Sequence, residues 1–229
     1  MVRFTGLFKR LDGYNANLVC GQRGSGKSCL LARIAQRKLE QGYTVYSNYP
    51  IKGTYRIPYI TIKGKSYLDK SFLYSLPCDT VIIIDECSTV WNNRQYGKWS
   101  EDDSEFFNFL RKRKQYLYLA CQYYDTVDLN VRRALEMVIY LSDGSIFPGV
   151  SFVSLDYQSL VKVEDVTKHV LDRKMYVVSY LPCVMDCGTY RMRRKPAYGL
   201  FDTYYMPVQS PEVDSEDVVS WDSLCSFSV

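Results

Sequence analysis

The residues with the clearest chemical meaning form a glycine-rich stretch, GQRGSGKS, at residues 21–28. It fits the pattern G-x-x-x-x-G-K-[ST] at every fixed position, between a predicted strand (Ala16–Cys20) and a predicted helix (Ser28–Leu39). In that context the backbone amides of the loop and the helix N-terminus bind phosphate. Lys27 is predicted to bridge the β and γ phosphates of a nucleotide, and Ser28 to coordinate Mg2+. The predicted nucleotide-binding residues are Gly21, Gln22, Arg23, Gly24, Ser25, Gly26, Lys27, Ser28 and Cys29.

Two carboxylates follow a second apolar run, VIIIDE, at residues 81–86. Ligands of open α/β sheets lie at the carboxyl ends of the strands, so Asp85 is predicted to hold Mg2+ there. Glu86 is placed to activate a water molecule, which a hydrolase needs and a small-molecule kinase does not. Gln122 ends the next predicted strand, where it can sense the γ-phosphate. Taken alone, the position of Gln122 fits an ordinary surface glutamine as well as it fits a sensor.

The elements that must position these residues alternate between strands and helices. Further strands are predicted at Tyr43–Tyr46, Thr80–Ile84, Tyr116–Cys121 and Met137–Leu141, and further helices at Tyr67–Leu76, Glu101–Arg113 and Leu129–Leu135. Continuous β-branched runs between helices are typical of a doubly wound α/β domain with a mostly parallel sheet.

The chain is predicted to divide into a P-loop core (1–143), a small β-rich extension packed on the core (144–208) and an acidic C-terminal tail (209–229). In the extension, strands are predicted at Val150–Tyr157 and Met175–Leu181, with a short helical stretch around Val161–Leu171. Cys183 and Cys187 form a C-x3-C pair without a second pair, so buried or partly exposed thiols are expected there rather than zinc.

The charge is distributed unevenly along the chain. The last five Asp and Glu residues follow Pro207, and no Lys or Arg lies there. The whole chain therefore has a net charge of +4, whereas residues 1–208 have a net charge of +9. An excess of this kind favours a polyanionic partner. No run of about 18 apolar residues indicates a transmembrane segment, and the N-terminus does not resemble a secretion signal, so a cytoplasmic protein is expected.

Basic residues cluster at Arg111–Lys114, at Arg132–Arg133 and at Arg191–Lys195. The first cluster ends a predicted helix and can simply complement its dipole. The sharper alternatives for the clusters are contacts with nucleic-acid phosphates and an arginine finger supplied to a neighbouring subunit. Some of the 21 tyrosines flank these clusters and could stack on single-stranded bases, although tyrosines in strands more often pack in the protein.

In combination these motifs resemble the Zot-like branch of the FtsK–HerA P-loop ATPases. The matching pieces are, in order, GQRGSGKS, YTVYSNYPI, VIIIDEC, FFNFLRKRKQ and LYLACQYYDTVDLNVRRAL. The resemblance implies a RecA-like fold of the additional-strand catalytic-glutamate class. It also implies that Lys27 and Ser28 bind ATP, Asp85 binds Mg2+, Glu86 activates water and Gln122 is the sensor. The arginine finger of the family precedes the glutamine-bearing strand, which indicates Arg111 or Arg113 and leaves the choice between them open.

Filamentous-phage members of that branch carry a membrane helix after the ATPase domain, and this chain shows none. We therefore expect an ATPase that forms a ring, a hexamer by the resemblance, and that moves DNA during viral genome packaging or virion morphogenesis. The expected location is the host cytoplasm, with transient association with a virion or procapsid. The expected partners are DNA of unspecified strandedness and capsid or coat proteins. A superfamily 3 replicative helicase, a P-loop kinase and an ATP-switched assembly adaptor are the alternatives.

Overall fold

An eight-stranded sheet organises the computed structural model, which describes residues 5–93, 99–143, 152–163 and 181–202. Its strands are β1 (Ala16–Cys20), β2 (Thr44–Ser47), β3 (Tyr55–Arg56), β6 (Thr80–Ile84), β7 (Tyr116–Cys121), β8 (Met137–Asp143), β9 (Phe152–Val163) and β10 (Leu181–Arg193), in the order β10-β9-β8-β1-β7-β6-β2-β3. The six strands from β8 to β3 are parallel, and β9 and β10 continue the sheet in antiparallel pairing. A separate hairpin pairs β4 (Tyr59–Ile62) with β5 (Lys65–Leu68).

The central strands are continuous apolar runs because both faces of the sheet are covered. Val81 and Ile83 enter one core with helices α1 (Thr5–Leu11) and α2 (Lys27–Glu40). Ile82 and Ile84 enter the other core, with α3 (Lys70–Ser75), α4 (Glu101–Phe109) and α5 (Leu129–Ala134). Because side chains alternate along a strand, one unbroken apolar run serves both cores. None of the described helices is long and apolar enough to cross a lipid bilayer.

Two predicted helices are placed differently by the structure. The predicted helix Tyr67–Leu76 was wrong at its start, since residues 65–68 are a strand and the helix begins at Lys70. Asp69 sets that start because its side chain accepts a hydrogen bond from the Phe72 amide and caps the first turn. The predicted helix Glu101–Arg113 ends at Phe109, where the chain turns through Lys114, with φ of 51°, to enter β7.

The β-rich region contains a longer strand than the sequence indicates. β9 runs on to Val163, so residues 161–163 are strand rather than helix, and the rest of the predicted helical stretch lies outside the described residues. The predicted strand Met175–Leu181 also lies outside them, apart from Leu181, which begins β10. After β10 the chain packs against α2 and returns to the core, where the Lys52 amide donates to the Leu200 carbonyl at 2.8 Å. Helix α1 was missed, although Leu7 and Leu11 are fully buried.

Candidate active site

The glycine-rich loop connects β1 to α2 at the carboxyl edge of the parallel strands. Gly24 and Gly26 have φ of 77° and 100°, in the left-handed region that glycine adopts without strain, and Gly26 caps α2. Gly21 is required for a different reason, because a Cβ atom there would lie 2.8 Å from the Leu141 carbonyl oxygen. Lys27 Nζ donates to the carbonyl oxygens of Gly21 at 2.8 Å and Gln22 at 3.2 Å, so its ammonium lies over the mouth of the loop.

Asp85 and Ser28 meet at this edge, as the sequence predicts. The Ser28 hydroxyl donates to Asp85 Oδ2 at 3.1 Å. Burial raises the pKa of the Asp85 carboxyl, and the hydrogen bond from Ser28 and the positive charge of Lys27 oppose that rise. The cost of burying the carboxylate gives the site a preference for a positive charge beside Asp85.

Asn48, which follows β2, fixes the backbone of Asp85 from both sides. Its Oδ1 accepts from the Asp85 amide at 2.7 Å, and its Nδ2 donates to the Asp85 carbonyl at 2.9 Å. The same Nδ2 group donates to the hydroxyl of Tyr59 at 3.1 Å. Sequence reasoning did not assign Asn48 to the site. The available signal was an asparagine directly after one strand, since Asp85 directly follows the strand that pairs with it in the sheet.

Glu86 is held in a specific orientation at the same edge. Its φ of 54° is unusual for a residue with a Cβ atom. Its Oε1 accepts from the Ser88 hydroxyl at 2.6 Å, and its Oε2 accepts from Gln122 Nε2 at 3.3 Å. The structure therefore brings Glu86, the residue after Asp85, together with Gln122, which follows the neighbouring strand β7. Ser88 was missed because its position depends on the turn after Glu86.

The remaining predicted residues divide into two groups. Gln22, Arg23 and Gly24 are exposed on the loop, while the Cys29 side chain is buried in the core and leaves only its backbone for a ligand. Burial raises the pKa of the Cys29 thiol. Next to the loop lies a cavity of about 750 Å³, lined by residues 20–25, 122–124 and 140–142. Its lining includes the loop and Gln122 but not Lys27, Asp85 or Glu86.

Arg111 and Arg113 lie at the other edge of the sheet. They precede β7, and the Asp79 amide at the start of β6 donates to the Arg113 carbonyl at 3.0 Å. The length of the six-residue β7, roughly 20 Å, separates them from the loop of their own chain. Arg113 Nη1 donates to the Tyr74 carbonyl at 3.1 Å and is half-buried, whereas Arg111 is exposed.

The order of the strands agrees with the implied class of P-loop proteins. β1, which carries the phosphate loop, is separated by β7 from β6, which carries Asp85 and Glu86. Gln122 directly follows this additional strand, and the predicted fold, a RecA-like α/β domain with a mostly parallel sheet, is confirmed.

Comparisons with known proteins identify a matching family and solved structures with a similar fold. The family model described as "Zonular occludens toxin (Zot)" matches residues 16–147. The crystal structure of the N-terminal domain of zonular occludens toxin from Neisseria meningitidis is similar at a TM-score of 0.52 and 17% identity, covering 82% of this chain and 98% of that chain. The structure of the genome packaging NTPase B204 from Sulfolobus turreted icosahedral virus 2, in complex with ATP-gammaS, has a TM-score of 0.44 and 16% identity, and the match covers 59% of this chain and 78% of that chain. No curated protein matches the sequence significantly.

Proposed function

Because this chain belongs to the zonular occludens toxin (Zot) family and is a Zot-like P-loop ATPase, we propose that it hydrolyses ATP to move DNA during viral genome packaging or virion morphogenesis. The observation that carries the proposal is the placement of Glu86, which is bonded to Gln122 at 3.3 Å beside the Ser28–Asp85 pair. A nucleotide-binding loop alone would support binding. A positioned glutamate next to it supports hydrolysis.

Each residue at this edge has a role in the proposed reaction. The backbone of residues 21–29 and the Lys27 ammonium bind the phosphates. Glu86 accepts a proton from water as the water oxygen attacks the γ-phosphorus and the bond to the β-phosphate oxygen breaks. Gln122, bonded to Glu86, distinguishes the nucleotide before hydrolysis from the product, because loss of the γ-phosphate changes what its amide contacts.

The oxygen donors at the site fit Mg2+. Asp85 Oδ2 and Ser28 Oγ lie 3.1 Å apart at the mouth of the loop, and Mg2+ is typically held by one or two protein oxygens together with substrate phosphates and water. When bound, the ion would neutralise charge that develops on the phosphates. The raised pKa of the buried Asp85 carboxyl is consistent with a place for a cation, since the ion would offset the cost of its ionised form.

A ring of subunits, a hexamer in our proposal, would complete the site. Arg111 is exposed and lies at the edge opposite its own phosphate loop, so it could serve only the site of a neighbouring subunit. Arg113 is engaged by the Tyr74 carbonyl and is better explained as a structural residue. We therefore favour Arg111 as the arginine finger. Fingers of this kind contribute about 10³-fold or more to the rate.

DNA is the proposed partner because residues 1–208 carry a net charge of +9. We retain the proposed division into a core (1–143), an extension (144–208) and an acidic tail (209–229). Capsid or coat proteins would be further partners, and the host cytoplasm, with transient association with the virion or procapsid, would be the location.

The test is ATPase activity with and without single- and double-stranded DNA. Glu86→Gln should lower the hydrolysis rate by about 10²-fold or more and leave binding of a fluorescent ATP analogue intact. Glu105→Gln, at an exposed position on α4, is the matched control and should change neither quantity. ATPase activity that responds to no nucleic acid would contradict DNA movement and favour an ATP-switched adaptor.

The finger is tested separately by mixing subunits. Arg111→Ala protein added to the wild-type protein should inhibit ATPase activity more than in proportion to its fraction, because each variant subunit also disables a neighbour. Lys112→Ala, which alters the adjacent exposed residue, should not inhibit in this way. A linear decline with the fraction of Arg111→Ala would contradict a finger that acts between subunits.

A further inference from the structure

Residues 41–68, which border the site, are the longest stretch of the sequence that contains no Asp or Glu. No Asp or Glu lies between Glu40 and Asp69, while Lys52, Arg56, Lys63 and Lys65 are positive and six of the residues are tyrosines. Such a combination of cations and aromatic rings suits a nucleic-acid strand, since the cations contact phosphates and rings can stack on bases.

The β4–β5 hairpin presents the most exposed part of this segment. Residues 60–65 are all exposed, and Lys63 and Gly64, with φ of 51° and 74°, form the two-residue turn at its tip. Ile60 pairs with Tyr67, and Ile62 with Lys65, so these four side chains share one face. Ile62 is 51% exposed and Tyr67 is 39% exposed. The hairpin thus carries two cations at its tip and an apolar, aromatic face behind them.

The base of the hairpin is tied to the proposed catalytic edge. Tyr59, the first residue of β4, accepts a hydrogen bond from the Asn48 side chain, which also holds both sides of the Asp85 peptide. The Ile57 amide donates to the Ser47 carbonyl at 2.9 Å, and the Asp69 amide to the Pro58 carbonyl at 3.0 Å. The side chain of Asn48 therefore links the hairpin to the proposed Mg2+ ligand. A movement of the Asp85 backbone would move Asn48 and, through it, the hydrogen bond to Tyr59.

We propose that the β4–β5 hairpin contacts the DNA backbone, and that Asn48 and Tyr59 couple this contact to the nucleotide site. This inference rests on the proposed function, because it identifies the element that touches the DNA. A DNA strand is favoured over a second copy of the chain because residues 1–208 of such a copy carry a net charge of +9, so that only its acidic tail could attract this acid-free segment. A protein partner would have to supply its own acidic surface.

The direct test removes the two cations of the hairpin and preserves its turn. Lys63→Asn with Lys65→Gln does so, because asparagine followed by glycine favours this type of turn. Lys9→Glu, at an exposed position in α1, changes the net charge by the same two units outside the segment. The assay is binding of a fluorescein-labelled oligonucleotide, single- or double-stranded, across a series of salt concentrations.

For the double variant, the slope of log K against log[salt] should become shallower by about two units, and by the same amount for unrelated sequences. Lys9→Glu should keep the wild-type slope. Equal slopes for the double variant and the wild-type protein would overturn the proposed contact, and so would a double variant that loses ring assembly instead of DNA affinity. If the wild-type protein shows no DNA binding and no DNA-dependent ATPase activity, the proposed function fails together with this inference.

The coupling has its own test. Tyr59→Phe removes the hydroxyl that accepts from Asn48 and keeps the ring. DNA affinity should stay at the wild-type value, while stimulation of ATPase activity by DNA should be lost. Full stimulation in Tyr59→Phe would overturn the coupling and leave the contact itself to be judged from the lysine variants.

Discussion

Asp103 allows the sharpest quantitative prediction, because its buried carboxylate joins three separate parts of the chain. The side chain is 0% exposed. Lys70 donates to both of its oxygens at 3.0 and 3.1 Å, Trp91 Nε1 donates at 2.7 Å, and Tyr74 donates through its hydroxyl. The amide and hydroxyl of Ser100 donate to the carboxylate as well, and Ser100 Oγ accepts from the Asp103 amide at 3.1 Å, which caps α4. Asp103 thus connects α3, the segment after Glu86 and the helix that precedes Arg111.

The perturbation is Asp103→Asn. The amide keeps one acceptor oxygen and replaces the other with an NH2 group, which faces the donors that the second oxygen had accepted. Breaking a buried, charge-assisted network in this way costs about 3 to 5 kcal/mol, a large part of the roughly 5 to 15 kcal/mol that a folded domain has. With a urea m value of about 2 to 3 kcal/mol/M, the midpoint should fall by about 1 to 2.5 M.

The control is Asp102→Asn, an exposed residue in the same first turn of α4. It removes the same charge near the helix N-terminus, so the shared dipole effect, about 0.3 to 1 kcal/mol, cancels in the comparison. The assay is urea unfolding followed by circular dichroism. A loss below about 1 kcal/mol for Asp103→Asn, or equal losses for the two variants, would refute the role of Asp103 as a buried connector.

The same comparison has a defined dependence on pH. Burial alone would raise the pKa of Asp103, but the hydrogen bonds from Ser100, Trp91, Tyr74 and Lys70 outweigh burial and hold that pKa below its usual value. A lowered carboxyl pKa stabilises the fold above the unfolded pKa of about 3.9, and this contribution is lost as the pH falls through the folded pKa. The difference between the wild-type protein and Asp103→Asn should therefore be full at neutral pH and shrink below about pH 4.

Two further predictions concern the phosphate loop and the helix behind it. Gly21→Ala should abolish binding of a fluorescent ATP analogue, because the alanine Cβ would lie 2.8 Å from the Leu141 carbonyl oxygen. The control is Gly24→Asn, at an uncrowded position with left-handed backbone, which should still bind the analogue. Equal binding by the two variants would contradict the steric argument. Lys38→Met should lower the free energy of unfolding by about 2 kcal/mol, because Lys38 is 2% exposed and lies 2.8 Å from Asp12 Oδ1, and its removal leaves only the more exposed Arg37 as an ionic partner of that carboxylate. Arg37→Met, on the more exposed partner of the same carboxylate, should cost less than about 1 kcal/mol in urea unfolding, and the reverse order would be inconsistent with this account.

Residue patterns along the chain were enough to predict the phosphate loop, the fold class and the meeting of Ser28, Asp85, Glu86 and Gln122 at one edge. The physical reason is that parallel strands share a carboxyl edge, so residues that end neighbouring strands must lie close together. Apolar runs long enough to serve two cores identified those strands. Apart from the pairing of the strands, none of these inferences needed knowledge of a contact between residues far apart in the sequence.

The hydrogen bonds that hold those residues in place became visible only in the folded chain. Asn48 could be assigned to Asp85 only once β2 was known to lie beside β6, and Ser88 to Glu86 only once the turn after the strand was known. The placement of Arg111 at the far edge also depends on chain direction and strand order together. Local patterns do not encode such contacts, because hydrogen bonds between side chains far apart in sequence depend on packing that the whole chain determines.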